Sequence, residues 1–201
     1  MIKIDHLYYV ITHDKFDEMV NKYAHTSHCE HRKTSTDKDF YEGLYFFFDN
    51  GLYIEILKED NEYAAGAFGL ALSDLTGKNW CELLLENKKL KISQINDSDG
   101  AWFKYTEFKK ESDNNINIWY MEYLTEARLK RRKSFANNTK LSLISVEVNL
   151  PFGEEVFKEK LKEFPVSDNF DAMISFDFNE MKKKGIIISY KDNNKRYEFF
   201  V

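Results

Sequence analysis

The sequence predicts an α+β fold built from repeated units of one strand, one helix and three further strands (βαβββ). The first observation is a hairpin over residues 40–58, in which apolar strands flank Asn50 and Gly51. Asn and Gly both tolerate positive φ, as a two-residue type I′ turn requires. The second observation is that the same order of elements recurs along the 201-residue chain. The third is an aromatic content of 16%, which favours a sheet-rich structure with a large core.

A two-residue turn determines which side chains share a face of this hairpin. It pairs Phe48 with Tyr53, so one face carries Phe46, Phe48, Tyr53 and Glu55. The opposite face is apolar and suits a helix packed behind the sheet. The face with aromatic rings and one carboxylate suits the wall of a cavity. We therefore expect a sheet with one ligand-facing side.

Hydrophobic periodicity predicts the other elements in chain order. A strand opens the chain at residues 2–11, and an apolar stripe of helical spacing predicts a helix over residues 14–23. Alternating or apolar runs between turn-prone stretches predict strands at 30–35, 67–73, 91–95, 101–109, 116–124, 141–150, 172–178, 185–191 and 196–201, and helices at 75–87 and 154–164. The order strand, helix and three strands therefore occurs three times.

Changes in composition divide the chain into parts. We expect paired βαβββ modules over residues 1–125, subdivided at 1–60 and 67–125, a charged linker at 126–138 that is either helical or irregular, and a smaller C-terminal βαβββ-like unit at 139–201. The linker is rich in Arg and Lys, and apolar periodicity stops there. It lacks interleaved aromatic residues and the whole chain is acidic, so we interpret it as solvated and not as a nucleic-acid site. Few core contacts are expected to cross it.

Composition also limits the partners and the compartment. The formal net charge of -5 gives no attraction to nucleic acid or to a membrane surface. No apolar run approaches the roughly 18 residues that span a bilayer. The N-terminus reads as a strand and not as a signal peptide, and Cys29 and Cys81 show no metal spacing. We expect reduced thiols and a cytoplasmic protein.

A resemblance to a known superfamily comes from three stretches, residues 4–10, 43–46 and 51–57. They resemble the vicinal oxygen chelate superfamily, which includes glyoxalase I, ring-cleaving dioxygenases and bleomycin-type resistance proteins. Within it, the chain most resembles glyoxalase-like bacterial proteins of unassigned function. Residues 66–73 resemble the strand that opens the second module there. The resemblance implies that two modules build one cup with a concave binding face.

The resemblance also implies a divalent metal on that concave face, held by the first and last strands of each module. His6 and Glu55 match the two positions of the first module, and Glu122 matches the last strand of the second. Leucine and alanine occupy residues 70–72, where the superfamily has a histidine. Imidazole and carboxylate ligands suit Zn, Mn, Fe or Ni. Three protein ligands plus water would form an open catalytic site.

His6 and Glu55 also support a prediction that needs no metal. Aromatic neighbours desolvate a carboxylate and raise its pKa, which makes Glu55 a better general base near neutral pH. We therefore predict that Glu55 and His6 are catalytic and that their side chains meet at the floor of the cavity. Two structural alternatives stay open: a buried hydrogen bond between the pair, and a solvated Glu55 at the cavity mouth.

The predicted ligand-binding residues are aromatic side chains and one arginine. Rings stack on planar ligands, and an arginine can clamp a carboxylate or phosphate with two hydrogen bonds. The residues are Tyr8, Arg32, Phe46, Phe48, Tyr53 and Trp119. Core packing of the rings and solvation of the arginine are the alternatives.

The sequence leaves two classes of function open. One is a protein that binds a small polar or aromatic metabolite in a concave sheet cavity. The other is a metal-dependent lyase, isomerase or dioxygenase of the vicinal oxygen chelate type. Both have a small molecule as partner, and a homodimer of the cup stays open in either case.

Overall fold

The structure, a computed structural model, describes residues 2–38, 40–60, 63–74, 80–84, 86, 89–108, 115–151, 153–166 and 173–201. The helices are α1 (His13–Tyr23), α2 (Trp80–Leu84), α3 (Glu126–Ser134) and α4 (Glu154–Leu161), and a 3₁₀ turn spans Ala136–Asn138. The strands are β1 (Lys3–Ile11), β2 (Glu30–Ser35), β3 (Phe40–Phe47), β4 (Tyr53–Lys58), β5 (Phe68–Ser73), β6 (Leu90–Asp97), β7 (Gly100–Phe108), β8 (Ile116–Tyr123), β9 (Leu141–Asn149), β10 (Ile174–Asp177), β11 (Gly185–Asp192) and β12 (Lys195–Phe200). Predicted element ends at residues 75, 87, 109 and 172 lie outside the described ranges. Within those ranges, every helix is too short or too polar to cross a bilayer.

The strands form two sheets, which makes the fold α+β. The larger sheet has eight strands in the order β2-β3-β4-β1-β5-β8-β7-β6. In its first half β1 runs parallel to β4, and in its second half β5 runs parallel to β8. The antiparallel pair β1 and β5 joins the halves. This sheet is strongly curled, and its concave side encloses a cavity.

The C-terminal unit has the predicted order of elements along the chain. Its strands, however, pair in a different order from the strands in each half of the large sheet. Its four strands follow the order β10-β9-β11-β12, so the first strand of the unit lies inside the sheet. The β11–β12 hairpin has a two-residue turn in which Asn193 and Asn194 have φ of 47° and 69°. The sheet packs behind the large sheet: the Phe46 ring lies 6.4 Å from Tyr190 and 5.0 Å from Phe199.

The β3–β4 hairpin has a register different from the predicted one. The Phe48 N–H donates to the Leu52 carbonyl at 3.0 Å, so the loop holds three residues, 49–51, instead of two. Gly51 has φ of 87°, the left-handed conformation that follows a type I turn in such a loop. The extra residue moves Phe46 and Phe48 to the opposite face of the sheet. The prediction that these two rings line the cavity is therefore wrong, because both are fully buried in the core.

Contacts from outside the hairpin hold this loop. The Asp49 N–H donates to the Leu141 carbonyl at 2.9 Å. The Gly51 carbonyl accepts a hydrogen bond from the Arg132 guanidinium at 2.8 Å. Both partners are distant in sequence, so the local pattern around residues 49–51 gives no sign of them.

The stretch predicted as a charged linker is α3 followed by the 3₁₀ turn. The Thr125 hydroxyl caps α3 by accepting the N–H of Arg128 at 3.2 Å. Arg132 is only 3% exposed and forms an ion pair with Asp5 of β1. The stretch is therefore not a solvated linker. It packs against the large sheet, because a buried guanidinium needs a buried partner.

Two tyrosine substitutions test the register of the hairpin. We expect Phe46→Tyr to lower the free energy of unfolding by about 1–3 kcal/mol, because the new hydroxyl enters an apolar core. We expect Phe47→Tyr to cost about 0.5 kcal/mol or less, because Phe47 lines the cavity and the hydroxyl can reach water there. Urea denaturation of both variants measures the difference. The register with a two-residue turn predicts the opposite ranking.

Candidate functional site

A cavity of about 1530 Å³ lies on the concave face of the large sheet. Both halves of the sheet and one face of α3 contribute to its wall, and many of the contributing side chains are aromatic. Small-molecule sites commonly have volumes of roughly 300–1,000 Å³, so this cavity has room for a ligand larger than a single ring.

Most of the predicted site residues line this cavity: His6, Tyr8, Arg32, Tyr53, Glu55 and Trp119. The parallel register of β1 and β4 places His6 beside Tyr53 and Tyr8 beside Glu55. Glu122 is separate from them. Its carboxylate accepts the N–H of Cys81, a fully buried core residue behind the sheet, at 3.4 Å.

His6 makes its polar contact with Asp5 and not with Glu55. Its Nδ1 lies 2.9 Å from Asp5 Oδ1, and its ring stacks on Tyr53 with centroids 4.5 Å apart. Within the described part of the chain, no hydrogen bond joins His6 to Glu55, and Nε2 of His6 has no hydrogen-bond partner. The alternative in which the two side chains form a direct hydrogen bond is therefore wrong, and their meeting at the cavity floor stays a prediction. The Nε2 atom is left for a ligand, because Asp5 engages the other ring nitrogen.

Asp5 is the centre of a buried charge network that the sequence did not reveal. Its carboxylate accepts from Arg132 Nε at 3.1 and 3.2 Å and from the Ser73 hydroxyl at 2.8 Å. Arg132 Nη2 donates to the main-chain carbonyls of Asp5 and Gly51, both at 2.8 Å. Burial alone raises the pKa of Asp5, but Arg132 and the bonds from His6 and Ser73 outweigh it and lower the pKa to about 2.

Glu55 is the buried carboxyl group of the cavity floor. It is 8% exposed and lies between Tyr8 of β1 and Tyr45 of β3. Burial raises the pKa of Glu55 above its ordinary value, although the charges of His6 and Arg32 act in the opposite direction. A carboxyl group with a raised pKa in a cavity is suited to hydrogen bonding as a neutral acid and to proton transfer.

Tyr8 and Trp119 form a pair of rings in a defined position on the wall, with centroids 5.5 Å apart. Tyr8 depends on Gly69 of β5, because a Cβ atom there would lie 2.2 Å from the Tyr8 ring. Asn117 Nδ2 donates to the Tyr8 hydroxyl at 2.8 Å. Burial raises the pKa of Tyr8 to about 12, so the hydroxyl stays protonated at neutral pH. A planar ligand can stack against these rings.

Arg32 lies over the aromatic wall of the first half of the sheet. Its guanidinium carbon is 5.1 Å from the ring centroids of both Tyr45 and Phe47, within the range of cation–π attraction. Its Nε and Nη2 donate to Glu30. Arg32 also lines the cavity, and its role as a clamp for an acidic ligand group stays a prediction.

The divalent metal implied by the sequence resemblance does not fit these donors. Glu122 lies behind the sheet, where its carboxylate accepts from Cys81, and not on the cavity floor with His6 and Glu55. The positive charge of the Arg132 guanidinium beside Asp5 would also repel a metal cation bound there. In the described ranges, no three His, Cys, Asp or Glu side chains are placed to hold a metal ion. The cavity floor presents the His6 imidazole and the Glu55 carboxyl group to a ligand, together with buried hydrogen-bond donors.

Two solved structures resemble the chain in fold. A hypothetical protein from Staphylococcus aureus shares 13% identity and a TM-score of 0.54, over 100% of this chain and 85% of that chain. The 2,3-dioxygenase LapB from Pseudomonas sp. KL28 shares 14% identity and a TM-score of 0.47, over 98% of this chain and 91% of that chain. The first likeness shows the fold alone, and the second carries no inference. No protein-family model and no curated protein matches the chain.

Proposed function

We propose that the chain is a glyoxalase-like protein of the vicinal oxygen chelate type that binds a small polar or aromatic metabolite in the concave cavity. Two halves of the large sheet, each with one strand, one helix and three strands, support the paired-module part of this proposal. The observation that carries the binding part is the set of rings around His6 and Glu55: Tyr8, Tyr45, Tyr53 and Trp119. Apolar walls with a few polar groups are typical of small-molecule sites.

Ligand recognition in this proposal combines stacking on the aromatic rings with hydrogen bonds to the polar groups of the cavity floor. The rings of Tyr8, Trp119 and Tyr53 offer flat surfaces to a planar ligand. His6 Nε2 and the Glu55 carboxyl group supply polar contacts on the floor, and their burial strengthens each hydrogen bond. A planar aromatic compound with at least one polar substituent satisfies both.

A second candidate is an enzyme that moves a proton on the bound metabolite. Asp5 holds the Nδ1 side of His6, so Nε2 can accept or donate a proton, and Glu55 is a second titrating group on the same floor. This pair favours a lyase or an isomerase that uses acid–base chemistry. A metal-dependent lyase, isomerase or dioxygenase receives no support from the donor set.

A titration with two matched probes tests the binding function. We expect isothermal calorimetry to show that 2-naphthamide binds roughly three- to ten-fold more tightly than its fully saturated decahydro analogue, because only flat rings stack on the wall. Trp119→Leu should remove that preference. Phe200→Leu is the matched control, because Phe200 lies on the C-terminal sheet with 39% of its surface exposed.

The same titration can contradict the proposal. Equal affinity for the two probes would exclude an aromatic site, and so would a Trp119→Leu variant indistinguishable from Phe200→Leu.

A further inference from the structure

The cavity-facing side of α3 carries arginines, although a helix normally packs on a sheet through apolar residues. Arg128, Arg131, Arg132 and Phe135 all line the cavity. Their spacing of i, i+3, i+4 and i+7 puts them on one face of the helix. Lys130 and Lys133 are exposed on the other side. The guanidinium groups therefore concentrate on the side that faces the ligand space.

These arginines keep hydrogen-bond donors that the protein does not use. Arg128 donates to Asp97, and Arg132 donates to Asp5 and Gly51 through Nε and Nη2 only. Across the described ranges, Nη1 of Arg132 and the whole guanidinium of Arg131 make no hydrogen bond. A guanidinium offers five N–H donors in a planar fork that matches a carboxylate or a phosphate.

Arg32 of β2 adds a guanidinium group to those of α3. Its Cζ lies 5.8 Å from the Phe135 ring centroid, and the Cζ of Arg132 lies 5.7 Å from the same centroid. The Phe135 ring in turn lies 4.5 Å from Phe47. The guanidinium groups of Arg32 from β2 and of Arg132 from α3 therefore both lie next to the aromatic cluster of Phe135 and Phe47.

The acidic groups of the cavity do not cancel these donors. Glu30 is bound by Arg32, Asp97 by Arg128, Asp37 by Asn96, and Glu107 by Ser93 and Lys91. Burial raises the pKa of Glu55 and so weakens its tendency to carry a negative charge. A ligand acid group would therefore meet free donors and little opposing charge.

We propose that this cavity contains an anion subsite formed by Arg131, Arg132 and Arg32, and that its ligand is an aromatic compound with one acidic group, a carboxylate or a phosphate. The inference rests on the proposed binding function and narrows its ligand class. The acidic group lies against the arginine face of α3, and the aromatic part lies beside Phe135 and Tyr53 and extends towards Trp119, which is 5.6 Å from the His6 ring that stacks on Tyr53. Charge-assisted hydrogen bonds from the guanidinium forks provide the preference for the anion.

The test compares probes that share one ring system. We expect 2-naphthoate to bind at least on the order of ten-fold more tightly than neutral 2-naphthamide, by calorimetry at low salt. A third probe, 2-naphthyl phosphate, tells which acidic group the site prefers. Binding of either anion above the amide supports the subsite. The preference should shrink at high salt because exposed Arg131 is screened.

A matched pair of variants on α3 separates the subsite from general charge. Arg131→Gln should reduce the preference for 2-naphthoate over 2-naphthamide several-fold, whereas Lys130→Gln, with the same change of charge on the outer face, should leave that preference as it is in the parent. Equal losses in both variants would overturn the subsite. Equal binding of naphthoate and naphthamide would overturn the inference alone. Failure of every probe to bind would overturn the proposed function and the inference together.

Discussion

Asp5→Asn is expected to lower the free energy of unfolding by about 3–5 kcal/mol, measured by urea denaturation at pH 7. The substitution keeps the shape of the side chain but leaves the Arg132 charge buried without its partner, and this is the costly way to break an ion pair. The double variant Asp5→Asn with Arg132→Met should recover part of the loss, because it removes both charges.

A surface ion pair provides the control for that experiment. Glu154 and Lys158 form an i, i+4 pair with side chains 53% and 66% exposed. Glu154→Gln should therefore cost about 0.5 kcal/mol or less. An Asp5→Asn variant as stable as this control would show that the network does not hold β1 to α3.

The Asp5 carboxylate also makes the free energy of unfolding depend on pH in the acid range. The pKa of Asp5 is lowered to about 2 in the folded protein, from 3.8 for a free side chain. Its stabilising effect is therefore complete above pH 4 or so and is lost as the pH falls towards about 2. Asp5→Asn should remove this part of the acid transition. An unchanged acid profile in the variant would contradict the assignment.

Raising the pH is expected to weaken 2-naphthoate binding by on the order of ten-fold or more in total, through ionisation of Glu55. The raised pKa of Glu55 means that its neutral acid persists above the ordinary range of a glutamate. When the group ionises, its charge repels the bound carboxylate. Glu55→Gln should flatten this pH profile, and Glu107→Gln on the same cavity wall should not.

Several groups facing Glu55 affect the interpretation of that profile. They are Asp5, His6 and Tyr8 from β1, Arg32 from β2, Tyr45 from β3 and Tyr53 from β4. The slope that remains in Glu55→Gln belongs to groups other than Glu55. Calorimetric titrations of the parent, Glu55→Gln and Glu107→Gln across the pH range measure the part that Glu55 contributes. A Glu55→Gln profile identical to that of the parent would contradict the role of Glu55.

Local patterns in the sequence were sufficient to predict most elements of the fold. The strand at residues 30–35 was predicted with the observed bounds, and in the described ranges the order of helices and strands agrees except at α3 and the 3₁₀ turn that follows it. Alternation and helical periodicity determine these elements because each side chain either faces the core or does not. The predicted faces of β1 and β4 are correct for the same reason. His6, Tyr8, Tyr53 and Glu55 were therefore correctly predicted to line the cavity.

The register of β3 could not be derived from the same patterns. Both faces of the hairpin are mostly apolar, so alternation does not choose between a two-residue and a three-residue loop. The choice depends on Asp49 and Gly51 meeting Leu141 and Arg132. One local signal was available: Phe46 and Phe48 have no polar atom, whereas Tyr45 has a hydroxyl group that is less costly to place in a polar cavity.

The buried or cavity-lining residues that the sequence analysis did not single out are charged and depend on tertiary contacts. A bulge shifts the pairing of β1 with β5 between Ile4 and His6, and such a bulge can redirect the side chain of Asp5. A strict alternation of side chains along β1 does not predict this bulge or the new direction of Asp5. Residues 126–138 looked like a solvated linker because of their charge, although the spacing of Arg128, Arg131, Arg132 and Phe135 already described one helix face.

A crystal structure of the protein with 2-naphthoate bound tests the central claim most directly, that the concave cavity is a site for an acidic aromatic ligand. The account predicts the ring system inside the cavity near Tyr53 and Phe135, with the carboxylate within hydrogen-bond distance of the arginine face of α3. A naphthoate bound elsewhere on the protein while the cavity holds only water would contradict it.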